Sequence, residues 1–539
     1  MPSSMTRRPI ASSIAFLLLS ACGGGSDHDE KTPPPPPPIV TAVSVSVDAG
    51  SVAGSLSPLW GDHYDLSFTH MNYAGEAGFI PLVQALQPRS WRCSVGRWEV
   101  GFPPPTGGDS TDPAVLMTVE REYYRGPNSM AGADDPANYD FTYLDTQLSD
   151  IALVGAEPFL CFDSMPFTLS SEQNPLNPYN LGLSDPQLSY SNGIRTAPPA
   201  DPAVYARVVR NVVRHIRGLF AGTTDFGITY IEIGNEPDLV DATGDPLRYF
   251  WTGTHADWLI MYAAIASEID ADPSISGQVR LGGGSFAFQP GEPSPTFLQD
   301  FLVDVTLRGS RIDFVSYHSY DDDPAQHFVS LSRLAGILTG LGLSLEIING
   351  EWGRALDGAD PVYDRIEHGI FRARVMILMQ LFGVTHAHEA LLRNPIPGSD
   401  FLGLIFTGPP APKPASDCYL ALQQLNVTPQ ALSITAPSGT YMMAGSDAGG
   451  TKVVVVYVGD DPGAGNQTRV DLSVINLPWG AATFNADRYE VSEATWSAAE
   501  GVKLVDSRPG LAGPTFSDAP IFGPGPGAGQ IIVWELTRN

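Results

Sequence analysis

The sequence predicts an α/β protein, a (β/α)8 barrel followed by a C-terminal all-β sandwich, and three observations carry this. From about residue 56 to 426, short runs of β-branched, aromatic and apolar residues alternate with amphipathic stretches, the pattern of parallel strands joined by helices. After about 427 the amphipathic stretches stop, and short strand-like runs follow, parted by Gly, Pro, Asn and Asp. Within the first region two buried-strand patterns, 115 residues apart, each end on a glutamate, Glu236 and Glu351. Catalytic groups of such barrels sit at the C-terminal ends of the strands.

Taken in order, residues 1–22 read as a targeting segment. Arg7 and Arg8 form a positive start, and 14–19 form an apolar core too short to span a bilayer permanently. The segment ends in Leu19-Ser20-Ala21-Cys22-Gly23, which resembles a bacterial lipoprotein signal. That resemblance implies an acylated Cys22 at the mature N-terminus, and the lack of an aspartate after it implies sorting to the outer membrane. Residues 23–40, with six consecutive prolines at 33–38, form a tether that is flexible and then stiff.

Residues 41–55 open with an alternating strand (Val43, Val45, Val47), expected to join an edge of the sandwich. Barrel strands are expected near 57–63, 87–93, 155–163, 228–235, 279–283, 311–317, 343–351 and 383–389. Helical patterns lie between them, among them 202–220, 255–269 and 363–381. The sandwich, 427–539, is expected to use strands near 431–435, 441–443, 452–457, 468–474, 488–489 and 531–536.

The net charge is −29, from 30 Lys and Arg against 59 Asp and Glu. Such a surface repels phosphate backbones, so no nucleic-acid partner is expected. Beyond Cys22 the three remaining cysteines, Cys93, Cys161 and Cys418, are scattered and odd in number, so no disulfide framework follows. Gly-rich phosphate loops, nucleophile elbows and paired Cys-x-x-Cys motifs are lacking, and no cofactor is expected.

Chemistry concentrates at the two strand ends. The stretch Gly227-Ile-Thr-Tyr-Ile-Glu-Ile-Gly-Asn-Glu-Pro-Asp238 delivers Asn235, Glu236 and Pro237, and Leu343-Gly-Leu-Ser-Leu-Glu-Ile-Ile-Asn-Gly350 delivers Glu351 and Trp352. By strand count these are the ends of the fourth and seventh barrel strands, which face each other across the mouth. Retaining glycosidases need such a pair about 5–5.5 Å apart, one carboxyl protonated and the other ionised. Further stretches recur in order: Asn138-Tyr-Asp-Phe-Thr-Tyr-Leu-Asp145, Gly155-Ala-Glu-Pro-Phe-Leu-Cys-Phe-Asp-Ser-Met-Pro166, Ile312-Asp-Phe-Val-Ser-Tyr-His-Ser-Tyr320 and Pro412-Lys-Pro414. Over about 60–426 the chain thus resembles glycoside hydrolase family 39, which includes β-xylosidases and α-L-iduronidases.

That resemblance implies a retaining glycosidase with Glu236 as acid/base and Glu351 as nucleophile. It implies that Asn235 bonds the sugar 2-hydroxyl, that Tyr320 and Arg92 hold Glu351 ionised and oriented, and that His318 lines the sugar subsite. The substrate would be an oligo- or polysaccharide, and the membrane would be met only through the lipid on Cys22. Three positions depart from the family pattern: Gly234 stands where tryptophan is common, Arg92-Cys93-Ser94 replaces Arg-x-His, and the eighth strand delivers His386-Ala387-His388-Glu389 instead of an aromatic residue. These positions line the sugar pocket, so sugar identity stays open, as does exo or endo action, which the 102–137 and 167–200 insertions would shape. A glycan-binding lipoprotein without activity is the rival reading, against which the two glutamates and Asn235 stand.

Other signals compete with plain packing roles. His386 and His388 share one face of a strand and could ligate a metal, but no third ligand is evident, and a sugar-contacting or packed role is preferred. Residues 321–323 are all Asp, without the spacing of a calcium loop. Among Trp98, Trp251, Trp258 and Trp352, only Trp352, beside the nucleophile, is favoured as a platform for a sugar ring.

Overall fold

The first described strand, β1 (Val40–Ser55), does not begin the barrel. The next eight do: β2 (Asp62–Tyr64), β3 (Ser90–Ser94), β4 (Glu157–Phe162), β5 (Thr229–Ile233), β6 (Val279–Phe286), β7 (Phe314–Tyr320), β8 (Glu346–Gly353) and β9 (Val384–Ala390). They pair in parallel and in sequence order, and β9 returns to β2 to close the barrel. The computed structural model describes residues 39–64, 78–95, 123–172, 196–222, 226–227, 229–239, 250–287, 296–354, 361–390, 403–407, 410–459, 466–492, 501–523 and 529–539. Residues 1–38, with the leader, Cys22 and the proline tether, lie outside these, as do Trp98 and most of the two insertions.

Helices cover the barrel's outside and the lumen is filled, so the strands expose little of either face. All five residues of β3 are buried. Three of the long helices have a chemical start. Thr254 and Asp257 form a reciprocal capping box before the helix His255–Asp270. Asp201 caps Pro202–Ile216, and Asp323 caps Pro324–Leu341, each followed by proline in the first turn. The acidic run 321–323 is thereby accounted for: Asp323 accepts from Ala325 N, Asp321 from Asp323 N, and Asp322 pairs with Arg354.

Below the mouth the barrel interior is plugged by Phe159, Phe314 and Ile348, with Tyr230 against them. A hairpin of β10 (Ile405–Thr407) and β11 (Pro410–Pro412) precedes the last helix, Pro414–Gln423. The β-sandwich then follows as one curled, mostly antiparallel sheet: β12 (Gln430–Thr435), β13 (Tyr441–Ser446), β14 (Lys452–Gly459), β15 (Gln467–Ile475), β16 (Thr483–Val491), β17 (Lys503–Ala512), β18 (Phe516–Asp518), β19 (Ile521–Phe522) and β20 (Gln530–Arg538).

The run of valines in β14 has a simple cause. Val453, Val455 and Tyr457 join Phe484 and Trp534 in the sandwich core, while Val454, Val456 and Val458 join Ile531 and Val533 in the core continuous with the barrel. Both faces are covered, so no alternation shows. One expectation is corrected: β1 is not an edge strand but lies between β12, antiparallel, and β15, parallel. Its unpaired backbone groups are satisfied better on two sides than on one.

Candidate active site

Arg92, on β3, is the centre of the mouth. Its side chain is fully buried and its donors are all engaged at once. Nε donates to Glu232 Oε2 at 2.8 Å, Nη1 to Glu351 Oε2 at 3.2 Å, and Nη2 to Asn235 Oδ1 at 2.8 Å and Ser285 Oγ at 2.9 Å. A planar five-donor fork is the one side chain that can tie β3, β5, β6 and β8 together in this way.

Glu232, one residue before the end of β5, was not singled out in the sequence. Burial alone would raise its carboxyl, but Arg92, with the Ser285 and Ser316 hydroxyls, outweighs this and holds it below the usual carboxylate range. It is ionised within the barrel. A charged residue inside an apolar strand was its only advance signal.

Glu351 sits at the end of β8, where Tyr320 donates its hydroxyl to Oε1 at 2.5 Å while Arg92 holds Oε2. Glu236 follows β5 after Gly234 and Asn235, and its backbone takes φ 42, left-handed for a non-glycine residue. Its N–H donates to Ser285 O at 3.1 Å. His318 joins the two carboxylates: its Nδ1 lies 2.7 Å from Glu236 Oε1 and 3.8 Å from Glu351 Oε2. Those oxygens are therefore at most about 6.5 Å apart, the sum of the two distances.

Gly234 is fixed by its surroundings. It has φ 78, and a Cβ there would lie 1.9 Å from the Trp258 ring. The indole on the helix His255–Asp270 has moved into space that no side chain at 234 can share. Trp251 and Trp258 pack edge to face, 5.0 Å apart, and both are buried.

The structure thus brings Arg92, Asn235, Glu236, His318, Tyr320 and Glu351 together. It does not bring Trp352 or His388 to the mouth. Trp352 alternates with Glu351 along β8, so its ring points out of the barrel; it is 0% exposed, lies against His327, and donates Nε1–H to Ala387 O at 3.1 Å. His388 does face the lumen, but one layer too deep: it bonds Ser90, two residues before Arg92, and packs 4.6 Å from Phe159. Burial holds its imidazole neutral, well below its ordinary pKa. Both side chains are fully buried.

Asp62 supplies the third ligand-type group that the sequence left unseen beside His386 and His388. A cation already occupies that cluster. Arg89 Nη2 lies 2.6 Å and 2.8 Å from the two Asp62 oxygens, 3.0 Å from His386 Nδ1 and 2.8 Å from Thr385 O. Burial would raise the Asp62 carboxyl, but Arg89 and His386 outweigh it and push it well down. The trio is an internal ion-pair network of the barrel's lower half.

A closed barrel with two carboxylates converging at the strand ends, joined to a β-sandwich, has the architecture of a (β/α)8 glycosidase. Within that class the chain resembles glycoside hydrolase family 39. It is 25% identical over 192 residues to a β-xylosidase from Caldicellulosiruptor saccharolyticus, a match covering 36% of this chain and 33% of that protein. The matches span about a third of the curated relatives' length. In structure it overlays a glucosidase from Croceicoccus marinus with TM-score 0.64 at 18% identity, covering 93% of this chain and 100% of that one. It overlays a family 39 enzyme from Xanthomonas axonopodis pv. citri with TM-score 0.63 at 15% identity, covering 93% and 98%. No family model matches the chain.

Proposed function

We propose that this protein is a retaining glycoside hydrolase that cleaves O-glycosidic bonds of plant or microbial oligo- or polysaccharides, with β-xylosidase-like specificity. The observation that supports it most is the convergence of Glu236 and Glu351 on His318 Nδ1, which keeps the facing oxygens within about 6.5 Å. Inverting enzymes hold their carboxyls about 6.5–9.5 Å apart to admit water between acid and base, whereas a direct nucleophile needs about 5–5.5 Å.

In the first step Glu351, its lone pairs aimed by Tyr320 and Arg92, forms a bond to the anomeric carbon. The bond from that carbon to the leaving oxygen breaks, and Glu236 gives that oxygen its proton. In the second, Glu236 takes a proton from water, the water oxygen bonds the anomeric carbon, and Glu351 leaves as carboxylate. Asn235, held through Oδ1 by Arg92, keeps its amide N–H₂ for the 2-hydroxyl of the sugar.

Hydrolysis of aryl xyloside, glucoside, galactoside and arabinoside, with the product anomer followed by proton NMR, tests this directly. The expected first product has the substrate's configuration, and Glu351→Gln abolishes turnover. An inverted first product, or undiminished turnover in Glu351→Gln, would overturn the assignment. We also propose export and lipid anchoring through Cys22. Cys22→Ala should then leave the membrane fraction for the soluble one, and unchanged partition would refute the anchor.

A further inference from the structure

Two non-glycine residues with left-handed φ face each other in the mouth: Glu236 at 42 and Ser285 at 41. Ser285 ends the run Gly282-Gly283-Gly284-Ser285 on β6. Glycine would take that φ without strain, and three glycines precede it, so a serine there stores strain that its side chain must offset. The hydroxyl lies where it can do so. Ser285 Oγ is 2.9 Å from Arg92 Nη2 and 2.9 Å from His318 Nε2. Around Gly350, Ser285 Oγ, His318 Nε2 and Glu232 Oε1 share one niche, each 3.0–3.4 Å from where a Cβ at 350 would stand.

The direction of each proton follows from what the groups can do. Arg92 can only donate, so its bond uses one lone pair of Oγ. Glu232 is ionised and can only accept, and the Ser285 hydroxyl is one of the groups that hold its carboxyl down, so the single hydroxyl proton of Ser285 points to it. What remains on Oγ is a lone pair, and His318 Nε2 must therefore carry hydrogen. The neutral imidazole then has a bare Nδ1, 2.7 Å from Glu236 Oε1. The one proton between them belongs to the Glu236 carboxyl. The charged and titratable groups facing His318 are Arg92 from β3, Glu232 on β5, Glu236 after it, Tyr320 at the end of β7 and Glu351 on β8.

We propose that Ser285 is a positioning residue, which fixes the His318 tautomer with hydrogen on Nε2 and thereby keeps Glu236 in its proton-carrying form for leaving-group protonation. The proposal rests on the glycosidase reading above. Without the hydroxyl, His318 is free to turn its hydrogen to Nδ1 and donate it to an ionised Glu236, which then has no proton to give.

Ser285→Gly tests this, because glycine suits φ 41 and removes the hydroxymethyl group that carries the hydroxyl. Ser285→Ala, which keeps the strain, is the second variant should the first not fold. Each is assayed on two aryl glycosides of one sugar, one with a dinitrophenolate leaving group that needs no protonation and one with an unactivated phenol. The expected result is a loss of about tenfold or more in kcat/KM for the unactivated substrate, little change for the activated one, and a basic limb moved toward acid by about one pH unit. Equal losses on both substrates with an unmoved limb would overturn the proposal. Glu236→Gln separates the two levels. If it shows the leaving-group dependence and Ser285→Gly does not, only the inference about Ser285 fails; if Glu236→Gln shows none, the glycosidase reading itself fails.

Discussion

Replacing Arg92 with alanine removes more than a contact to the proposed nucleophile. It deletes Nε and both Nη groups at once, and with them the hydrogen bonds to Glu232, Glu351, Asn235 and Ser285. The larger consequence is Glu232, whose side chain is 0% exposed and whose ion-pair partner is Arg92. Breaking a buried pair by removing one partner costs about 3–5 kcal/mol, because the remaining charge is stranded in low dielectric. Glu351, at 8% side-chain exposure, keeps Tyr320 and a path to water, so it adds less. The Arg92→Ala variant should therefore unfold about 3–5 kcal/mol more easily at pH 7 in a urea titration followed by tryptophan fluorescence. Adding Glu232→Gln to it should recover about 2 kcal/mol, since the stranded charge is gone. Arg92→Lys should fall between, because an ammonium cannot reach four strands. If the double variant is no more stable than Arg92→Ala, the cost does not come from Glu232, and this reasoning is wrong.

Three further outcomes are expected. Gly234→Ala places a methyl 1.9 Å from the Trp258 ring at φ 78, and should lower stability by about 2–4 kcal/mol in the same titration. Trp352→Phe loses the hydrogen bond to Ala387 and some packing behind β8; it should cost about 1–2 kcal/mol while KM moves by less than about twofold, whereas a large rise in KM would restore the residue to the sugar site. Burial pushes the Asp417 carboxyl from 3.8 up to about 7. Between those values the folded chain holds a proton that the unfolded chain has released, so Asp417 makes stability fall as pH rises through that window. Asp417→Asn should flatten part of that fall in melting curves from pH 4 to 8, and an unchanged slope would show that Asp417 does not titrate there.

What was legible in the chain follows from how burial writes itself into sequence. Barrel strands covered on both faces are buried almost throughout, and seven of them stood within a few residues of where they lie. The first did not: Pro58, Leu59 and Trp60 look like a strand because Leu59 and Trp60 are buried, yet they lead into a single 3-10 turn, Leu59–Gly61, ahead of the three-residue β2. In the sandwich β17 was invisible for the opposite reason. It is an edge strand that carries Lys503, Asp506, Arg508 and Pro509 and exposes nearly every side chain, which protects an edge and erases alternation.

The site was legible as chemistry and illegible as wiring. Glu236 and Glu351 declared themselves as carboxylates at the ends of buried strands, but four of the hydrogen bonds of Arg92 reach residues 140, 259, 143 and 193 positions away, and no local pattern encodes which donor meets which acceptor. Trp352 was a different kind of error. Alternation along β8 already required that, if Glu351 faces the lumen, its neighbour face the helices, so adjacency in sequence argued against a shared site. His388 obeys alternation and still fails, because which layer of a barrel a lumen residue occupies depends on the stagger between strands, and the sequence carries no record of that stagger. Ser285 left a backbone trace: Gly284, at φ 95, starts a left-handed turn, and the next position, where glycine would again be least strained, carries a hydroxyl between Arg92 and His318. Where local preference and observed residue disagree inside a site, the side chain is there for its chemistry.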